Sequence, residues 1–578
     1  MGHMRPLVIL FISIFQLLAT QNSRVKAAPA PPPPDDRIQY PKVGTWEKHW
    51  GRFTYFIQPP NELKKSGFSR ERAVEISKEF LKEIEPHLLP PRKHTVIELG
   101  SKYLGTFGYD FRVPMSGPSF QETTRIGARY RGIFLGPTFT PATPLKRRAP
   151  LQRRHQNLED LSPQPLGFST YGPASFEPPD YTMTPTPNTT GHSRYHENQQ
   201  SSGVYKREDL PVEGVDPEIE RVGTPFRDMA GLCLPPGFTL PKEPPFAAWR
   251  WKNAGKGVRM YVFDAGCDTR HPEFEDANID WIYANPDGLD EPGDNPFYRY
   301  STREWDFGHG TRVVAKILGK RVGVAPKADV TFVRLDSTMF GYGIDSVIVL
   351  LGMMITYDHI FENRDKMNGK PCVIVFTLHG SLYAARSPVD YYITRLWVTS
   401  LQKVGCYVVA SSGNDHIDKK NLGYIPPTGY PQLLAGDPEV DRNLLVVGGH
   451  NTTGFNFYAY NKFVRISAQA TKVVTVRAVK PGRDLPKGDW SNEYENVSGT
   501  SFSAPVVAGL LATFISQGYK DPLGYLLAIT KDPMLPGEPR LAFNGVYADM
   551  WPTSLRPENY QRPPLKDPRV AEKYPEGG

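Results

Sequence analysis

The sequence predicts an α/β domain built on a parallel, doubly wound sheet, and three observations point to it. Short apolar runs recur at Val258–Phe263, Val330–Leu335, Cys372–Leu378, Tyr407–Ala410 and Leu444–Val447. Runs this short, with helix-like segments between several of them, fit strands buried within a parallel sheet. The first run ends on a carboxylate, Asp264, followed by Ala265-Gly266. Open α/β sheets gather their functional groups at such carboxyl-terminal strand ends.

The chain has 578 residues, too many for one core, so two or more domains are expected. Residues 1–28 start with Arg5 and an apolar run from Leu7 to Leu18, too short to span a bilayer and suited to a signal peptide. Residues 29–135 open on Pro31–Pro34 and read as a small α+β unit. It has a strand at Phe53–Ile57, an amphipathic helix at Arg70–Ile84 and a strand at Thr95–Leu99. Residues 136–225 are rich in Pro, Thr, Ser and Arg without periodicity, the composition of a disordered linker. They hold Lys146-Arg147-Arg148, Arg153-Arg154 and Lys206-Arg207, which are candidate processing sites in a secreted precursor and equally solvated charge. The α/β domain is placed at 226–547, and 548–578 reads as an irregular, Pro- and charge-rich tail.

Within that domain, four short stretches carry chemistry. Val497–Ala508 reads VSGTSFSAPVVA: a glycine and a small hydroxyl residue lead into Ser501, and a proline and an apolar run follow. Pro505 suits a first helical turn, where its missing N–H costs nothing, which puts Ser501 at or just before a helix N-terminus. Backbone N–H groups there favour an oxyanion. His309 sits between Gly308 and Gly310 at the start of a helical run, and Asn414 lies in a tight turn after a strand. Taken singly, these are a capped helix, a surface histidine and a turn residue, and Asp264 is a helix cap.

Taken together, DAG at Asp264, HGT at His309, GVAPKA at Gly323, SSGND at Asn414, VVGG at Val446 and GTSFSAP at Gly499 resemble the subtilisin-like serine proteases, over about residues 240–530. The order Asp264, His309, Ser501 matches that family's catalytic order. The resemblance implies an endopeptidase that forms an acyl-enzyme on Ser501. His309 serves as its base, Asp264 as the group that orients the base, and Asn414 as the oxyanion donor. It also implies a substrate-binding strand at Leu378, His379 and Gly380. By its position ahead of the catalytic stretch, the 29–135 unit becomes a pro-domain that assists folding and inhibits the enzyme from within the chain, the alternative being a separate binding domain.

Several positions depart from the family pattern. Ala265 stands where a hydroxyl residue usually follows the aspartate, Arg312 where a histidine follows HGT, His379 where a glycine is usual, and Val506 where a histidine is common. A binding or regulatory protein on the same fold, without catalysis, is therefore the alternative. His271, close to Asp264 in Arg270-His271-Pro272-Glu273, is read as structural.

Polypeptides are the expected partners, and the chain is expected to be a secreted monomer. Net charge is +7, but the basic residues cluster in the linker, so neither nucleic acid nor a membrane is expected. No cofactor or metal ligand set is expected. Gly319–Gly323 leaves no room for a calcium loop, and calcium is left open only at an unidentified structural site such as the acidic stretch Asp287–Asp294. Four cysteines, Cys233, Cys267, Cys372 and Cys406, fit no zinc motif and allow three pairings. Asn188 and Asn451 head glycosylation sequons; a third, at Asn496, is expected to be unused because it lies so close to Ser501.

Overall fold

The computed structural model describes residues 50–88, 96–114, 118–141, 218–223, 226–238, 248–284, 308–335, 346–367, 369–378, 388–414, 429–440, 442–456, 458, 460–477 and 494–563. The expected signal peptide, the processing pairs, Asp287–Asp294, Asn188, His379 and Gly380 lie outside the described residues.

The N-terminal unit is a four-stranded antiparallel sheet in the order β2-β3-β1-β4, with β1 Trp50–Ile57, β2 Val96–Ser101, β3 Gly105–Pro114 and β4 Phe134–Pro141. Helices α1 Pro60–Lys65, α2 Arg70–Ile84 and α3 Pro118–Arg129 complete it. Helix α2 has the bounds its pattern predicts. Ser69 caps it by accepting from the Arg72 N–H, and Ala73, Ser77, Phe80 and Ile84 form its buried stripe. Phe53, Tyr55 and Ile57 on one face of β1 pack with Phe80, Ile84 and Phe111. Phe56, between them in sequence, joins Leu99 and Phe107 in a second core shared with the following domain. The unit reaches Pro141, beyond the expected boundary at 135, because β4 pairs with β1 along its whole length.

The second unit is an eight-stranded sheet in the order β16-β13-β12-β11-β10-β7-β9-β8. Its strands are β7 Arg259–Asp264, β8 Asn278–Ala284, β9 Asp329–Leu335, β10 Val373–Phe376, β11 Tyr407–Ser411, β12 Leu444–His450, β13 Ile466–Gln469 and β16 Arg540–Leu541. All seven neighbouring pairs are parallel. The expected α/β class therefore holds. Val373 and Val375 face one buried layer, which holds helices α5 His309–Leu318 and α8 Thr500–Ser516. Ile374 and Phe376 face the other, which holds α6 Ser346–Asn363 and α7 Pro388–Lys403. Period-two alternation thus buries both faces, which is why these strands read as unbroken apolar runs.

The domain also extends past its expected ends. β5 Ile219–Arg221 pairs with β6 Trp249–Trp251 and packs on Val546 and Met550. Helix α4 Arg227–Leu232 brings Asp228 to the fully buried ammonium of Lys316, at 2.8 Å. After 547, Met550 is buried, and Tyr560 packs partly against the main core and near Phe238. Residues 548–563 hold two short turns, Ala548–Met550 and Thr553–Leu555, and touch the domain through Met550 and Tyr560. Cys372 and Cys406, just before the paired strands β10 and β11, form a disulfide with Cα atoms 4.4 Å apart, while Cys233 and Cys267 are buried thiols. Among the described residues, no helix is long and apolar enough to cross a membrane.

Candidate active site

Asp264 is the last residue of β7, and its side chain is buried at the carboxyl edge of the sheet. One carboxylate oxygen, Oδ1, accepts the Ala265 N–H at 2.8 Å; the other, Oδ2, lies 2.7 Å from His309 Nδ1. Because a carboxylate only accepts, Nδ1 carries the proton and the lone pair falls on Nε2. Ala265 offers Asp264 its backbone N–H but no side-chain hydroxyl.

The sequence around His309 explains how the ring gets there. Gly308 adopts φ 78°, which a residue with a Cβ takes only with strain, and this turn starts α5 at His309. A Cβ on Gly310 would lie 2.1 Å from the Gly266 carbonyl oxygen and 2.9 Å from Asp264 Cβ. Only glycine lets α5 press this closely on the end of β7. Thr311 Oγ1 then accepts the Asp268 N–H at 2.8 Å, locking helix to loop. Each letter of HGT has a mechanical task. Arg312 pairs with Glu495 at 2.7 Å and is a buried brace. His271 accepts the Glu273 N–H through Nδ1 at 3.1 Å, which makes it the cap of a short turn, as expected.

Ser501 is the second residue of α8 and is buried; its hydroxyl donates to the Thr377 carbonyl at 3.3 Å. Phe502, the next residue, has its ring 5.6 Å from that of His309. Pro505 does not lie in the first turn as expected. The helix already starts at Thr500, so Pro505 falls in the second turn and leaves the Ser501 carbonyl without its i+4 donor. Ser501 is still within the N-terminal turn, where N–H groups point outward along the axis.

Asn414 follows β11 after Gly413, which has φ 108°. Its Oδ1 accepts the Thr500 N–H at 2.8 Å and the Thr500 hydroxyl at 3.1 Å, and Gly413 N–H donates to the same hydroxyl at 3.2 Å. A backbone N–H can only donate, so the acceptor must be the amide oxygen. The amide group lies beside Gly499, where an added Cβ would be 3.3 Å from both the amide nitrogen and the amide oxygen. Thr500 is thus a member of the site that the reading of single residues missed. Its signal, a hydroxyl residue just before Ser501, is present in GTSFSAP.

Leu378 follows β10 and its carbonyl accepts from Gln432 Nε2 at 3.1 Å. Of the proposed glycosylation sites, Asn451 folds back on itself, its side-chain oxygen accepting from Thr453 and Phe455 N–H groups. Asn496 is exposed on β15 Tyr494–Val497. Among the described residues, no group of three or more His, Cys, Asp or Glu side chains is arranged to hold a metal.

The elements above match known proteins. The model of the subtilase family matches residues 255–524. Two curated relatives are "Subtilisin-like protease 2" of Trichophyton tonsurans, 32% identical over 269 residues, and of Arthroderma benhamiae, 31% identical over 269 residues. In both cases the match covers 46% of this chain and 51% of the relative, so the chain spans about half the length of the curated relatives it matches. A solved structure, that of a cold adapted subtilisin-like serine proteinase, aligns over 56% of this chain and 100% of its own, with 18% identity and a TM-score of 0.38. Over residues 255–524, just under half of its length, the chain matches the subtilase family.

Proposed function

We propose that the chain is a secreted serine endopeptidase, made as a precursor, that cleaves polypeptides through an acyl-enzyme on Ser501. His309 takes the Ser501 proton through Nε2 and returns it to the leaving amine. Asp264 holds the tautomer that makes this possible and stabilises the imidazolium. The Asn414 amide and the Ser501 N–H receive the oxyanion; losing such a side-chain donor costs about 10²–10³ in turnover. The observation that carries the reading is the 2.7 Å contact of His309 Nδ1 with the buried Asp264 carboxylate, on a helix whose histidine ring meets the residue after Ser501. The chemistry requires no cofactor.

The N-terminal unit acts as a pro-domain, held on the peptidase as an intramolecular inhibitor until the segment between the two units is cut. Its packing on α6 and α7, and its shared core through Phe56, Leu99 and Phe107, support that role. The comparisons give no support to a non-catalytic role. Replacing Ser501 by Ala should abolish hydrolysis of denatured casein by the processed protein while leaving its melting temperature within a few degrees. Retained hydrolysis would contradict the assignment.

A further inference from the structure

The ladder between β10 and β11 ends at the pair Phe376↔Ala410. The two chains run on past it into the groups nearest the nucleophile. Thr377, next on one side, offers the carbonyl that accepts the Ser501 hydroxyl; Gly413 and Asn414, on the other, engage Thr500. Between these extensions lies Gln432. It is only 2% exposed, and its amide nitrogen donates to the Leu378 carbonyl at 3.1 Å and to the Ser411 carbonyl at 2.8 Å. Both amide hydrogens are therefore spent on joining the two strand ends where no ladder bond joins them.

Gln432 is itself held firmly. It starts a short turn, Gln432–Leu434, whose Leu434 is buried in the core on the α6 and α7 side of the sheet. Its Oε1 is buried and meets no donor among the described residues. An unpaired buried acceptor is costly, and an apolar side chain of similar length would avoid that cost. The two donated bonds are what a glutamine provides here and a methionine does not.

Resting on the serine-peptidase reading above, we propose that Gln432 is a positioning residue for that reaction. Its carboxamide staples the ends of β10 and β11. The staple sets the separation between the Thr377–Leu378 segment beside the nucleophile and the Gly413–Asn414 turn that aims the oxyanion donor. Small losses of such alignment cost rate without removing any reacting group.

The test measures the rate at which phenylmethylsulfonyl fluoride modifies Ser501, from pH 5 to 9, in the processed wild type and in Gln432→Met and Gln432→Glu, with melting temperatures in parallel. Gln432→Met keeps the volume and loses both donors; its labelling should be about tenfold slower or more at every pH. Gln432→Glu can donate only while its carboxyl is protonated, and once ionised it faces two carbonyl oxygens. Its rate relative to wild type should therefore fall about tenfold or more as pH rises across the range, a trend that lost packing alone does not produce. A labelled wild type with Gln432→Met within about twofold of it, or a flat Gln432→Glu ratio, overturns the proposal and leaves the peptidase reading intact. An unlabelled wild type overturns both.

Discussion

The two sheets of this protein use their faces differently. In the parallel sheet each face is covered by helices of its own domain, and the candidate site lies on the carboxyl edge, at Asp264, Thr377 and Asn414. In the N-terminal antiparallel sheet one face packs on its own helices, through Phe53, Tyr55 and Ile57. The other face places Phe56, Leu99 and Phe107 into the neighbouring domain's core. A sheet whose own helices cover only one face must bury its other apolar face elsewhere, and here the neighbouring domain covers it. One sheet thus has both faces covered within its own domain, while the other depends on its neighbour to bury its second face.

The contact between the units is specific as well as apolar. Asp358 on α6 accepts the Ser101 hydroxyl at 2.5 Å and the Lys102 N–H at 2.9 Å; burial raises its carboxyl pKa, opposed by these same bonds. Arg70 donates to the Tyr392 hydroxyl at 2.9 Å, and the rings of Tyr103 and Phe361 meet at 4.1 Å.

The sharpest way to break the contrast is to overfill a glycine in each unit. In the parallel domain, Gly310→Ala drives a Cβ into the Gly266 carbonyl and pushes His309 off Asp264. Casein hydrolysis should fall by about 10²-fold or more, while unprocessed precursor still accumulates. In the N-terminal unit, Gly127→Ala puts a Cβ 2.0 Å from the Tyr55 hydroxyl. Overpacking of this kind costs about 1–3 kcal/mol, read as lower yield of folded precursor, and the activity of protein already processed should be untouched. Equal losses of activity in both would mean that the units do not divide labour.

A smaller effect is expected at the seam. Asp358→Ala leaves two donors without their acceptor, at about 1–3 kcal/mol. Limited proteolysis should then remove the N-terminal unit from the precursor faster, and unchanged rates would place the hold in the apolar contacts alone.

A third effect concerns acid. Burial pushes His359, which bonds Tyr261, and His450, which bonds the Asn451 carbonyl, down from 6.5 to about 4. The unfolded chain then binds more protons than the folded one between those values, so stability is full above about pH 6.5 and is lost as pH falls towards 4. Both residues lie in the parallel domain. The processed protein should lose about 1–3 kcal/mol per histidine over that window, followed as melting temperature against pH, and His450→Asn should flatten part of the slope.

Much of the parallel sheet was legible because its strands are continuous apolar runs that end on small or polar residues. The N-terminal unit was only half legible. β3 carries Gly105 and Gly108, which blur its strand signal, yet Gly108 is required there: a Cβ would lie 2.3 Å from the Tyr55 carbonyl oxygen. Phe56, apolar where the alternation of Phe53-Thr54-Tyr55 calls for a polar residue, was the visible trace of a second covered face. At the candidate site, Asp264, His309, Asn414 and Ser501 stood out in the sequence because each stands beside a glycine or small residue near the start or end of an element. Gln432 was not, since its partners are backbone carbonyls more than twenty residues away, and no side-chain pattern records such a bond.

The account rests on Ser501 being made nucleophilic by His309. Treating the folded, processed protein with diisopropyl fluorophosphate and mapping the adduct by peptide mass spectrometry tests this directly. One adduct on Ser501, absent from His309→Ala, is the predicted result. No adduct on folded protein, or an adduct that persists without the imidazole, would contradict it.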